Sequence, residues 1–342
     1  MKRKGLGLLA MSFALTGFLA ACGGGSDTAS NNEKSGEGES AEPIVLRLAD
    51  NQPEDYPTVV GDKEFARLVE EKTDGRYKVE VYAGGQLGDE KSAIEQVQLG
   101  TLDFARVNAS PLAEFSKDLG VLSMPYLFRD EDHMWNVFNG EIGEELLTGM
   151  ESANLVGLTF YDSGSRSFYN SKRTVEKPED LKGLKIRVQQ SALVVDMVEA
   201  LGASATPMAY EEVYSGLQTG VIDGAENNYP SYYSVNHYEV AKFYTLDAHS
   251  RVPEILMASK GTWDKISAED QELIKEAAME SQEVQRASWA ELVEKAKAEV
   301  EAAGNEVTEI TDSAPWREAV QPVYDKHGEA FSEWIEKIES VE

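Results

Sequence analysis

From residue 43 onward, runs in which apolar residues fall at every second position alternate with runs in which they recur every three to four. IVLRLAD, starting at Ile44, reads as a first strand. GDKEFARLVEEKTDG reads as a helix with Phe65, Leu68 and Val69 on one face and Gly75 at its end. RYKVEVYA returns to a strand period through Tyr77, Val79 and Val81, GDEKSAIEQVQLG to a helix, and TLDFARVN to a strand. This βα order predicts helices wrapped around a largely parallel sheet. The pattern recurs in LKIRV, SALVVDMVEALG, ATPMAYEEVYSGLQTG and VIDGAEN, read as strand, helix, helix and strand, so a second α/β lobe is expected to begin near Ser163. EILMASK, from Glu254, is a further apolar strand. No exact repeat links the lobes, and the division rests on pattern and on a length of 342 residues, which favours two domains over one.

Residues 267–303 contain neither Gly nor Pro and open with Ser267 and Asp270 at capping-box spacing. As one helix the segment runs roughly 55 Å at 1.5 Å per residue, enough to span both lobes. Two helices with an unmarked break between them remain the alternative. The apolar spacing does not sustain a heptad, which argues against a coiled coil.

The beginning of the chain differs from the rest. Lys2, Arg3 and Lys4 precede an uncharged apolar run that ends in Leu19-Ala20-Ala21-Cys22, the pattern of a secretory signal. The last four residues resemble a bacterial lipobox, which implies cleavage before Cys22 and a lipid on its sulfur; an ordinary signal peptide with a chance cysteine is the other reading. The next twenty or so residues, GGGSDTASNNEKSGEGESAEP, are nearly empty of apolar side chains and read as a flexible tether. The expected organisation is therefore a signal over 1–21, a tether over 22–42, a first lobe over 43–162 plus about 253–290, and a second over 163–252 plus about 291–342. A folded body on a lipid tether belongs outside the cell membrane, at the cell surface or in a periplasm.

Composition is that of a folded chain, 42% hydrophobic and 27% charged. With 61 acidic and 32 basic residues the formal charge is -29, and loss of the signal, which carries three positive charges and no negative one, takes it to -32. Such a body repels nucleic acid and anionic membrane surfaces. A saline or an alkaline habitat would each account for the acidity. Cys22 is the sole cysteine, so there is no internal disulfide and no thiolate metal cluster. Four histidines, His133, His237, His249 and His327, are too scattered for a short metal-binding spacing. There is no GxSxG elbow and no phosphate-binding glycine loop in the body, so nucleophilic catalysis, a metal and a cofactor are all unsupported. A glycosidase needs just two carboxylates, which 61 acids do not exclude.

In SGSRSFYNSKRTVEKPEDLKGLKIRV, residues 163–188, Arg166 and Arg187 flank a turn, each on a strand-forming run. A guanidinium grips a carboxylate through two parallel hydrogen bonds, which lysine cannot copy. In an open α/β sheet the strand ends line the ligand crevice. Taken alone, each arginine fits a structural ion pair as well as a ligand site.

The run PEDLKGLKIRVQQS, with GSRSFYN before it and GLQTGVIDGAENN after it, resembles the extracytoplasmic solute receptors of tripartite ATP-independent periplasmic (TRAP) transporters, of the dicarboxylate-receptor type. GGQLGDEKSAIEQVQLGTLDFA, VLSMPYLFRDEDH and ASKGTWDKISAEDQ fit the same family, so the resemblance covers most of the mature chain. It implies a two-lobed periplasmic-binding-protein-like clamshell, α/β in class, with one long helix spanning both lobes. Such a receptor closes on an organic acid and delivers it to a membrane permease, without catalysis. It also implies that Arg187 binds the ligand carboxylate, that Arg166 supplies a second cationic contact, and that Asn227 belongs to the site. Net charge does not forbid an anionic ligand, because distant surface acids are screened beyond about 8 Å at physiological salt.

For the rest of the ligand, Asn51, Gln52, Arg106, Asn108, Asn228 and Tyr232 are candidates whose amides and hydroxyl suit a polyhydroxylated solute. The expectation is a sugar acid, a hexuronate or aldonate; a C4-dicarboxylate such as succinate or malate is the runner-up. Tyr126 and Phe128 are read as core. Outside this class stand an extracellular glycosidase and an adhesion or sensor lipoprotein, the latter requiring an exposed apolar patch.

Overall fold

The alternating runs sort into two sheets in the computed structural model, which describes residues 42–342. The expected signal, Cys22 and all but the last residue of the expected tether lie outside the described residues. In chain order the strands are β1 (Ile44–Ala49), β2 (Tyr77–Tyr82), β3 (Phe104–Asn108), β4 (Leu155–Tyr161), β5 (Arg166–Asn170), β6 (Lys185–Val188), β7 (Ser204–Pro207), β8 (Gly224–Asn227), β9 (Phe243–Ser250), β10 (Glu254–Ser259) and β11 (Glu306–Glu309). One sheet has the order β2-β1-β3-β10-β4 and the other β11-β9-β5-β8-β6-β7. Each is parallel except for one reversed strand, β10 in the first and β5 in the second. The two-lobed α/β architecture expected from the pattern is present.

The long helix is a single unbroken element, Ala268–Ala302, of 35 residues. Ser267 caps it by accepting from the Asp270 backbone N–H at 3.1 Å. Ile274, Ala277 and Ala278 pack with Leu48, Phe65 and Phe104 under the first sheet, while Val300 joins Tyr169 and Tyr244 under the second, so the helix serves both lobes. It lies against the helix Pro57–Lys72, which starts four residues before the expected Gly61 because Pro57 suits the first helical position. The two come close at Gly61, where an added Cβ would stand 2.8 Å from Gln285 Cβ and 3.0 Å from the Tyr161 ring.

The expected helix over residues 205–220 begins as edge strand β7 beside β6, passes through a tight turn at Tyr210–Glu212 and becomes helical at Val213–Thr219. The last thirty residues divide their contacts. Trp316 stacks on Phe168, and Lys326 and His327 pair with Asp196, all on the second lobe. Arg129 of the first lobe, however, donates to the carbonyls of Glu339 and Val341, and His133 Nε2 donates to that of Ile338 at 2.9 Å. Among the described residues no helix is long and apolar enough to cross a membrane.

Candidate functional site

Reversal of one strand in each sheet decides what meets between the lobes. Parallel strands present their carboxyl ends to the crevice, a reversed strand its first residue. The crevice therefore receives Asn108 from the end of β3, Asn227 from the end of β8 and the loop after β1, and also Arg166 and Glu254 from the starts of β5 and β10. The space between them, partly open to solvent, is bounded by Asn51, Gln52, Glu90, Asn108, Arg166, Arg187, Gln189, Tyr210, Asn227, Ser231 and Glu254. The lobes touch across it. Tyr56 and Ser231 share a hydroxyl hydrogen bond at 2.8 Å, and Glu114 Oε1 accepts from the Ala192 N–H at 2.8 Å.

Arg187 sits inside β6, flanked in register by the small residues Ala225 and Thr206. It is 3% exposed. Its Nε donates to the Met208 carbonyl at 2.9 Å, and its guanidinium lies 5.9 Å from the centre of the Tyr210 ring. Neither terminal nitrogen has a partner among the described residues, and no carboxylate there lies within ion-pairing distance. Burial pushes its pKa down, outweighing the opposing charge of Glu226.

Arg166 is held differently. Its Nε and one terminal nitrogen grip the Glu226 carboxylate, the second bond being 2.9 Å, and the other terminal nitrogen donates to Asn227 Oδ1 at 3.0 Å. Behind this pair, His249 lies 3.4 Å from Glu226 and 2.9 Å from Asp247. Burial would raise the Glu226 pKa, but Arg166 and His249 bring it down to about 2. Burial would likewise lower that of His249, yet Asp247 and Glu226 raise it to about 9. Two cations thus face two anions, leaving Arg166 one spare N–H toward the space.

Arg106 is 1% exposed and lies behind the first-lobe wall, all five donors engaged. They reach both oxygens of Asp50, Asn51 Oδ1 at 2.8 Å, Glu254 at 2.7 Å and Glu90 at 3.4 Å. One guanidinium therefore faces three carboxylates, so this wall is rich in acceptors and negative charge. Burial, then the charge of Glu254, pushes the Glu90 pKa up to about 7.

The family model described as "Bacterial extracellular solute-binding protein, family 7" matches residues 48–330. The chain belongs to that family. A solute-binding protein of Chromohalobacter salexigens is 44% identical over 274 residues, 80% of this chain and 82% of the relative. A TRAP periplasmic solute-binding protein of Xanthobacter autotrophicus, solved with bound β-D-galacturonate, superposes with a TM-score of 0.84 at 45% identity, covering 87% of this chain and 100% of that one. Another, from Roseobacter denitrificans with bound β-D-glucuronate, gives 0.85 at 39% identity, with 87% and 100% covered.

Within this receptor the structure brings six of the nine residues singled out from sequence to one space: Arg187, Arg166, Asn227, Asn51, Asn108 and Gln52. Arg106 stands behind them. Asn228 does not face the space, because both ends of its amide are used: it caps the helix Tyr229–Ser234 through Ser231 N at 2.8 Å and donates to the Ser163 carbonyl at 2.9 Å. It borders a separate, half-open cleft of about 290 Å³ beside Trp289. Tyr232 is buried among Tyr169, Tyr238 and Tyr244, its hydroxyl donating to the Ala241 carbonyl. Phe128 packs in the core against Phe138, and the ring of Tyr126 is covered by Arg317. Sequence reasoning missed Glu90, Gln189, Tyr210, Ser231 and Glu254. Glu90 and Glu254 carried a usable signal, an acid at a strand or helix start facing the crevice, but one acid among 61 is inconspicuous.

Proposed function

We infer that this receptor captures a monocarboxylate bearing several hydroxyls, a hexuronate first and an aldonate next, for a TRAP-type permease. The observation that carries the reading is the uneven state of the three buried arginines. Arg106 and Arg166 are neutralised by protein carboxylates, whereas Arg187 has both terminal nitrogens uncommitted. One free fork suits one carboxylate. The space also offers acceptors, Gln52 Oε1 from the first lobe and Gln189 Oε1 from the second, both buried and without a partner among the described residues, which suit hydroxyl donors. A C4-dicarboxylate would need a second free cation and few acceptors. The galacturonate and glucuronate seen in the related structures agree with this chemistry.

The solute leaves unchanged, and the lobes divide near residues 163, 253 and, along the long helix, about 290, the three passages of the chain from one sheet to the other. A lipid on Cys22, followed by the Gly- and Ser-rich stretch, keeps the body outside the membrane and near the permease. Titration calorimetry of the body from Ala41 onward against D-galacturonate, D-glucuronate, D-gluconate, succinate and malate tests the reading. Tight binding confined to the sugar acids is expected. Binding to the dicarboxylates alone, or to no organic acid, overturns it.

A further inference from the structure

We propose that Glu90 binds the solute as a carboxylic acid, taking up a proton as the solute carboxylate settles on Arg187. The inference rests on the sugar-acid reading and adds a proton to what the cleft takes in. Three carboxylates, Asp50, Glu254 and Glu90, share the guanidinium of Arg106. Two of them have every oxygen engaged. Asp50 Oδ1 accepts from the Gln52 N–H at 2.6 Å and Oδ2 from the Thr58 hydroxyl at 2.7 Å, each with a further bond from Arg106. Glu254 Oε1 accepts from Asn108 Nδ2 at 2.9 Å and Oε2 from Arg106 at 2.7 Å. Glu90 differs. Its Oε1 takes the Asn108 N–H at 2.9 Å and a longer contact from Arg106 at 3.4 Å, while Oε2 has no partner among the described residues. A proton on Oε2 breaks no existing hydrogen bond and turns an acceptor into a donor.

The charges around Glu90 point the same way. Burial first, then Glu254 and, from the turn at Tyr210–Glu212, Glu211, push its pKa up to about 7 against the pull of Arg106 and the Asn108 N–H. Arg187 pulls with Arg106: it and Glu90 line both the ligand space and the narrow recess beside it, where Asp89 and Tyr210 also stand, and the charge of each favours ionisation of the other. Arg166 and His249 are already matched by Glu226 and Asp247. Asp62, fully buried near Asp50 with neither oxygen hydrogen-bonded, has its pKa pushed well up by burial and by Asp50, and stays protonated throughout. A solute carboxylate on Arg187 takes over the charge that had favoured ionised Glu90 and brings one more negative charge into the space. The Glu90 pKa then rises above its empty-cleft value, and one acid enters with one proton. The protonated Oε2 donates to a solute oxygen. Affinity is therefore complete below about pH 7 and is lost as pH rises through it.

The test is titration calorimetry with D-galacturonate and D-glucuronate at fixed salt. At pH 7.5 the heats in HEPES and in Tris, whose ionisation enthalpies differ, give the protons bound; roughly half a proton or more per uronate is expected for the wild type. From pH 6 to 8, where both uronates are fully ionised and His249, at about 9, stays charged, the wild-type affinity should weaken about fivefold or more. Glu90→Gln keeps an acceptor for the Asn108 N–H and does not titrate, so its proton uptake should vanish and its affinity stay level over the same range. Glu90→Ala serves in its place if the glutamine variant does not fold. Wild-type binding without proton uptake, or uptake that persists in a position-90 variant, overturns the assignment and leaves the sugar-acid reading intact. A wild type that binds neither uronate overturns that reading together with this one.

Discussion

Replacing Arg187 separates what the side chain does for a ligand from what it does for the fold. Its terminal nitrogens can make two parallel charge-assisted bonds to a carboxylate, each worth about 1.5–3 kcal/mol. Arg187→Ala should therefore weaken sugar-acid binding by roughly 10²- to 10⁴-fold at 1.4 kcal/mol per decade. Arg187→Lys keeps the charge but not the fork, and should recover only part of the loss. For the empty protein the expectation is reversed. The side chain makes one hydrogen bond, to the Met208 carbonyl, and burial disfavours its charged form. Arg187→Met, close to it in length and uncharged, should leave the melting temperature without ligand unchanged or higher, because a buried cation without a direct ion-pair partner is a cost to folding. Calorimetry gives the affinities and thermal unfolding with and without uronate gives the stabilities. At 100 times Kd the ligand should stabilise the wild type by about 2.7 kcal/mol, and at the same concentration should stabilise the alanine variant by no more than about 0.4 kcal/mol. An alanine variant binding within about threefold of the wild type would show that the acid head lies elsewhere.

Other consequences are open to measurement. His249, held at about 9 in the fold against 6.5 when free, contributes stability that is complete below pH 6.5 and is lost as pH rises through 9. Melting temperatures from pH 6 to 10 should fall more in the wild type than in His249→Gln, and parallel curves would remove the charge from this network. Glu114 caps the helix Ala192–Ala200 from the opposite lobe, a contact present only while the lobes are together; Glu114→Ala should speed ligand release roughly fivefold by stopped-flow, at about 1 kcal/mol for a cap, and an unchanged rate would deny it a part in closure. Gly61→Ala drives a Cβ into Gln285 and Tyr161. It should cost about 1–3 kcal/mol in denaturant unfolding, and no loss would mean that the helix pair separates easily.

The fold was legible where burial is one-sided. Phe65, Leu68 and Val69 mark a helix face, and the helix from Ser267 announces itself by its cap and its lack of Gly and Pro. It was obscure where a strand is covered on both faces or carries buried polar groups. LVGLTFY in β4 has no alternation to read, and FYTLDAHS in β9 hides Asp247 and His249 inside the protein, where composition suggests a surface loop. The site divides in the same way. Arginines in an acidic chain stand out, so Arg166 and Arg187 were found, but their inequality was invisible because it depends on Glu226 lying across β5 and β8. Asn228 and Tyr232 looked no different from Asn227, since nothing in the sequence tells an amide that caps a helix from one that faces a void.

In each sheet the reversed strand directly follows a passage of the chain between lobes, so Arg166 and Glu254 stand within a few residues of those passages. Selectivity and swing are in this way written into the same short stretches of backbone. A lineage drifting toward a new solute by altering these positions would also alter how readily the jaws shut, and laboratory redesign of one property should be expected to retune the other.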